Sequence, residues 1–231
     1  MRNLIKTTRS AYTTAKSNRT LICPNVAMIT DENNKIEYLA NNPSADIGIA
    51  SWEGGVRKFY SLAEWNALET KPTALGVYVF TEDSQFIIHA SSGANMYKYT
   101  DTEYLIPGVS AKSGLNDFAG KTNTAAILDA LNNELIANAP AAVWANGLSF
   151  EDGTAAYVAA AGQVNLIGLN LTDINNCRTA LSQSTFTFAN GKTWYTSTQA
   201  NASQAYVWFN GSGYFNRPKS TSSSQFALCD I

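Results

Sequence analysis

Charge is scarce in this chain: Asp, Glu, Lys and Arg make up only 15% of its 231 residues, against about a quarter in an ordinary globular domain. Sixteen basic residues against 18 acidic ones leave a net charge of −2, so the basic excess of a dedicated nucleic-acid binder is missing. Histidine occurs once, as His89, and the three cysteines, Cys23, Cys177 and Cys229, lie far apart without a C-x-x-C pair. That poverty excludes a zinc site of known spacing and gives no basis for a disulfide framework. No stretch approaches the roughly eighteen apolar residues of a membrane span, and the amino terminus lacks the apolar core of a secretory signal. The expectation is a soluble protein made in a cytoplasm. What is present is 45% hydrophobic residues, enough to build one large core or two small ones.

Charge is also unevenly placed. Residues 1–30 hold Arg2, Lys6, Arg9, Lys16 and Arg19 and no acid, which makes residues 1–20 a basic, Ser/Thr-rich arm too poor in apolar surface to order itself. Two readings stand: a solvated tail, or an arm docked on an acidic partner surface. Leu21–Ile29 and Ile36–Leu39 flank Asp31, Glu32, Asn33 and Asn34 and read as a hairpin. A turn at Gly54-Gly55 precedes a strand over Val56–Tyr60. Ser61 and Glu64 then form a capping-box signature for a short helix through Trp65 and Leu68, stopped before Pro72. Leu75–Thr81 and Phe86–Ala90 make another hairpin around Asp83 and Ser84. Residues 21–106 thus read as a β-rich anchor domain, and 107–121, with Pro107, Gly108, Gly114 and Gly120, as a connector.

Over 122–231 the period changes. Ala126, Ile127, Ala130, Leu131 and Leu135 recur at helical spacing behind the capping candidates Thr122 and Asn123, with Pro140 as the stop. Further helices are expected over Ala160–Leu169 and Thr172–Leu181. Strands follow at Thr185–Phe188, Thr193–Ser197, Ala205–Phe209, Tyr214–Arg217 and Phe226–Cys229, with Asn190-Gly191 and Asn210-Gly211 turns. Helices first and antiparallel hairpins last make an α+β class.

Catalytic groups are few. His89 sits in the apolar run Phe86–Ala90 with no partner nearby to orient it, and there is neither a nucleophile elbow nor a glycine-rich loop between strand and helix. Glu82-Asp83 and Glu151-Asp152 lie beside turn residues; a Ca²⁺ site from Glu151, Asp152 and Asp173 matches no known loop spacing. The informative stretch is Trp194–Gln225, where large aromatics alternate with Ser, Asn and Gln, the composition of adaptable binding surfaces. Strand alternation puts Tyr206 and Trp208 on one face and Ala205, Val207 and Phe209 on the other. With the Val207 face as core, Tyr206, Trp208, Tyr214 and Asn216 form an outward patch. The alternative is that these aromatics fill a small β core.

Residues 114–231 carry a resemblance. Ala155–Gln163 (Ala-Ala-Tyr-Val-Ala-Ala-Ala-Gly-Gln), Trp194–Gln199 (Trp-Tyr-Thr-Ser-Thr-Gln), Ala205–Trp208 and Phe226–Cys229 resemble the C-type-lectin-like fold in its formylglycine-generating-enzyme branch. That branch includes phage and bacterial proteins diversified by retroelements. The relatives read Tyr-Leu-Pro-Ser-Ala-Gly-Glu, Ser-Ser-Thr-Glu after the tryptophan, and Arg-Pro-Val in the last strand; here Val158, Ala159 and Ala160 replace Leu-Pro-Ser, and the Arg-Pro is missing. Upstream, Cys23-Pro24-Asn25-Val26 is similar to the openings of tailed-phage virion proteins.

The resemblance implies a virion structural and adhesion protein, a head fibre, decoration or tail component, often trimeric. Its amino-terminal arm would dock to capsid, portal, tail or fibre proteins. Its lectin-like domain would present Tyr195, Gln199, Asn201, Tyr206, Trp208, Asn210, Tyr214 and Asn216 to a host-surface glycan or protein. No catalytic residue, metal, cofactor, nucleic acid or membrane span is expected. The sugar-binding signatures Glu-Pro-Asn and Trp-Asn-Asp do not occur, and Cys177 and Cys229 read as buried apolar residues and not as a copper pair. An oxidase-branch enzyme and a purely architectural decoration are the alternatives.

Overall fold

The structure, a computed structural model, describes residues 45–81, 84–109, 117–187, 192–209 and 213–231. The basic arm, the hairpin expected over 21–39 and the Asn190-Gly191 and Asn210-Gly211 turns lie outside the described residues.

Among the described residues, helices combine with two sheets, neither closed into a barrel. The described part opens with the hairpin β1 (Asp46–Glu53) and β2 (Val56–Tyr60), turned at Gly54-Gly55, and continues into a short helix α1 (Leu62–Ala67). The capping box is realised: Ser61 Oγ accepts the Glu64 amide, and a Glu64 carboxylate oxygen accepts the Ser61 amide at 2.9 Å. Next come β3 (Thr73–Phe80), β4 (Gln85–Ile88) and the short β5 (Met96–Lys98). The helices α2 (Gly120–Asn132) and α3 (Pro140–Asn146), a two-residue strand β6 (Tyr157–Val158), then α4 (Ala161–Leu169) and α5 (Leu171–Ala180) follow. The last third is β7 (Thr193–Gln199), β8 (Gln204–Phe209), β9 (Gly213–Pro218), β10 (Ser222–Ser224) and β11 (Ala227–Asp230).

Strand pairing ignores the expected connector. The six-stranded sheet runs β2-β1-β3-β4-β11-β6, so the final strand and β6 join the front hairpins, with Leu228 opposite Ile88. The five-stranded sheet runs β5-β10-β7-β8-β9, placing Met96–Lys98 from the front half beside Ser222–Ser224. Strands from residues 46–98 and from residues 157–230 therefore share both sheets.

Residue alternation explains the layers. On the first sheet Ile49, Val77, Val79, Phe86, Ile88 and Leu228 share a face that buries against Val164 and Ile167 of α4 and Ile174 and Cys177 of α5. The opposite face, with Tyr78, Phe80, Ile87 and Cys229, packs on Phe59, Phe150 and Ala156. Arg57 closes that side: its guanidinium reaches Asp152 at 2.5 Å, Thr154 Oγ1 at 2.7 Å and the Asp230 carbonyl at 2.6 Å. On the second sheet Tyr195 and Val207 face Ile127 and Ala130 of α2, while Trp194 and Trp208 face α4. Trp194 stacks on Phe226 at 4.1 Å between centroids and 11° between planes, joining the two sheets through one core. Gly93 lies under this stack with φ +74, and a Cβ there would come within 2.7 Å of the Trp194 ring, so only glycine serves both the turn and the approach.

Several expectations need correction. The helix behind Thr122 and Asn123 starts earlier, at Gly120, and its N-cap residue Ala119 makes no side-chain cap. It also ends at Asn132, well before Pro140, because Glu134 turns left-handed (φ 57) and the Leu135 amide folds back onto the Ala130 carbonyl. Pro140 instead opens α3 at its first turn, where a missing N–H costs nothing. Thr185, Phe186 and Thr187 form no strand; the amide of Phe186 is taken by the Asn175 side chain at 2.7 Å. The helix α4 carries half of a capping box: Ala160 has no hydroxyl to offer, but Gln163 Oε1 still accepts the Ala160 amide at 2.9 Å.

Candidate functional site

The β8–β9 hairpin forms one margin of the second sheet, with β9 as its edge strand. The register sets Tyr206 opposite Asn216 and Trp208 opposite Tyr214, so these four positions share one face of the hairpin. Ala205 and Val207, on the other face, are fully buried, as the alternation predicted. Tyr206 and Trp208 are half-buried and Asn216 is exposed. Trp208 is seated rather than free: its indole lies against Gly168 of α4, where an added Cβ would meet the ring at 2.9 Å. The turn into β8 is fixed by Asn201, whose Oδ1 accepts the Ser203 amide at 3.0 Å and the Gln204 amide at 2.9 Å.

Two of the anticipated ligand-facing residues are interior. Tyr195 is 1% exposed and its hydroxyl donates to the Pro218 carbonyl, and Gln199 is 1% exposed. Both sit on β7, which is covered by α2 on one side and α4 on the other, so the outward presentation that the resemblance implies for them has no outside. Asn201 is exposed at the turn, Asn210 lies outside the described residues, and Tyr214 is placed by its backbone on β9.

What holds the hairpin in place is a buried polar strand. Every residue of β7 is buried, and the side chains of Thr193, Thr198 and Gln199 find partners far along the chain. Thr198 Oγ1 donates to Asp117 at 2.6 Å and accepts the Ala161 amide at 3.0 Å. Asp117, 1% exposed, also accepts from Asn123 Nδ2 and the Ala119 amide, both at 2.9 Å. Thr193 Oγ1 accepts from Arg217 Nη1 of β9 at 2.6 Å and bonds Ser223 Oγ at 2.5 Å. Gln199 holds segment 104–109 from both ends of its carboxamide: Oε1 accepts the Ile106 amide at 3.1 Å, and Nε2 donates to the Ile106 carbonyl at 2.6 Å. Lys219, just past β9 and 2% exposed, donates to the Tyr104 carbonyl at 2.7 Å and to Gln199 Oε1 at 3.1 Å. Buried polar groups are tolerated only when partnered in this way.

Sequence reading missed Asp117, Lys219 and Arg178 as interior charges. Arg178, 2% exposed, donates to the Ser184 carbonyl at 2.7 Å and the Ala90 carbonyl at 3.2 Å, with its guanidinium 3.8 Å over the Phe186 ring. Burial draws its pKa down to about 10. No local pattern marks such residues, since a charge in a strand or helix normally signals a solvated face.

His89 Nδ1 accepts the Ser91 amide at 3.1 Å and its ring meets Phe150 edge-on at 4.9 Å; burial holds its pKa below the ordinary value. Cys177 and Cys229 are unpaired and buried, and burial pushes their thiols up to about 11 and about 12, far from the thiolate a nucleophile needs. Among the described residues no three His, Cys, Asp or Glu side chains gather to hold a metal ion, and Asp152 is engaged by Arg57. Among them also, no helix is long and apolar enough to cross a membrane. No protein-family model, curated protein or solved structure matches the chain.

Proposed function

We propose that this chain is a virion protein of a tailed bacteriophage that docks through its basic amino-terminal arm and displays a C-type-lectin-like region for attachment to the host surface. The observation that carries this reading is the β8–β9 face, where half-buried Tyr206 and Trp208 lie beside exposed Asn216 on an edge hairpin braced by a buried polar strand. Aromatic rings offer broad contact area at low entropy cost, and amides beside them offer adaptable hydrogen bonds. Rigid support beneath such a surface lowers the cost of binding. The ligand face is accordingly Tyr206, Asn216 and the turn residue Asn201, with Tyr214 and Asn210 as neighbours in the chain, while Trp208, expected to point outward, is seated on α4 and anchors the face. Tyr195 and Gln199 support that face from within. Arg2, Lys6, Arg9, Lys16 and Arg19 are the docking residues, their partner an acidic capsid, tail or fibre surface, in an assembly of several copies.

Adherence of the labelled full-length chain to host bacterial cells tests the display role, and cryo-electron microscopy of purified particles tests the docking role. The proposal expects saturable adherence that unlabelled chain competes away, and chain density on the particle that is lost when the five basic arm residues are replaced by Ser. A chain absent from the particle, or one that fails to adhere to any cell the particle infects, would overturn the reading.

A further inference from the structure

We propose that the folded chain closes an intramolecular isopeptide bond between the side chains of Lys219 and Gln199. The amine and the carboxamide are already in contact, with Nζ 3.1 Å from Oε1, although the residues stand 20 positions apart. The bond would tie the end of β7 to the turn after β9 across the intervening strand β8.

Four features of the surroundings favour this chemistry over a simple hydrogen bond. First, Lys219 is a buried cation, and among the described residues no carboxylate pairs with it. An uncompensated interior charge is costly, and turning it into a neutral amide removes that cost. Second, the carboxamide is immobilised: Nε2 is held on the Ile106 carbonyl at 2.6 Å, and the Ile106 amide donates to Oε1 at 3.1 Å. That N–H sits on the oxygen where negative charge develops when an amine adds to the carbonyl, the arrangement that stabilises tetrahedral intermediates. Third, water is excluded, since Gln199, Lys219, Tyr99 and Ile106 are each 3% exposed or less, and the Tyr99 ring covers Nζ at 5.2 Å. Hydrolysis, the competing reaction, is thereby suppressed, and two reactants held in contact react as if at very high concentration. Fourth, burial draws the Lys219 ammonium down to about 8, so a substantial fraction is neutral amine in mildly basic solution.

The step balances without any co-reactant. Lys219 gives up one proton, and its neutral Nζ adds to Cδ of Gln199. The Cδ–Nε2 bond then breaks, and the departing nitrogen takes the second amine proton and the one released first. Ammonium leaves, one unit of positive charge is conserved, and nothing is oxidised or reduced. Closing a loop through the interior restricts the unfolded chain, as a disulfide does, and it also fixes segment 104–109 beside β7.

Intact-mass measurement on the purified full-length chain, held folded at about pH 9, tests the proposal without depending on a variant. The expected result is a chain about 17 Da lighter than its sequence mass, the loss of one ammonia. Chymotryptic cleavage at Tyr206 and Trp208 should then leave the Gln199 and Lys219 peptides joined. Lys219→Met and Gln199→Met variants should keep their sequence mass. Retention of the full sequence mass would overturn the proposal. So would the same mass loss with the two peptides separate, because ammonia can also be lost at Asn190-Gly191 and Asn210-Gly211.

Discussion

The two sheets solve burial by opposite means. In the six-stranded sheet the central strands β3, β4 and β11 are lined by Val77, Val79, Ile87, Ile88 and Leu228, all fully buried apolar side chains. In the five-stranded sheet the central strand β7 is equally buried yet carries Thr193, Thr196, Ser197, Thr198 and Gln199. Apolar burial is strong and non-directional, each large side chain contributing about 2 kcal/mol. A hydrogen bond contributes about 1 kcal/mol net, but an unmade one in the interior costs more, so it dictates position. The first sheet thus holds the molecule together, and the second fixes where the β8–β9 hairpin sits.

That contrast can be broken from either side. Phe226→Ala removes the ring that stacks on Trp194 and meets Phe186 at 4.8 Å. It should cost about 3–5 kcal/mol in denaturant unfolding, because the cavity opens where both sheets meet. Asp117→Ala strands the Thr198 hydroxyl, the Asn123 amide and the Ala119 N–H. It should cost about 2–3 kcal/mol, and adherence to host cells should fall further than stability alone explains. If Asp117→Ala proves neutral, the polar strand does not set the hairpin's position. Gly168→Ala drives a methyl into the Trp208 indole and should cost about 1–2 kcal/mol, with a shift in tryptophan fluorescence as the ring moves. The smallest effect is acidic. Burial keeps the folded pKa of His89 below 6.5, so in that window the unfolded chain binds more protons and stability falls as pH drops below about 6.5. A His89→Gln variant should flatten that slope in thermal melts from pH 7 to 5.

How much of this was readable in the chain follows the same division. Ser61 and Glu64 announced a helix start because a capping box is local, and Ala205–Phe209 alternated because one face is core and the other is half-open. Strand β1 passed unnoticed because its composition is dictated by distant neighbours. A Cβ at Gly48 would sit 2.1 Å from the Tyr60 carbonyl, and nothing local signals that approach. Strand β7 was found, but its outward face was not there to find. A strand covered on both sides has no polar side to alternate with, and Asp117 and Ile106, which satisfy Thr198 and Gln199, lie 81 and 93 residues away. The split of the chain into anchor and display units relied on glycines and prolines over 107–121, and strand pairing across that stretch was invisible for the same reason.

The attachment role turns on the β8–β9 face being a place where something binds. The direct measurement is adherence of the full-length Tyr206→Ala/Asn216→Ala variant to host cells, read beside its melting temperature. Adherence reduced at least about tenfold, equivalent to about 1.4 kcal/mol, with the melting temperature within a few degrees of the parent, is the predicted result. Undiminished adherence by a folded variant would contradict it.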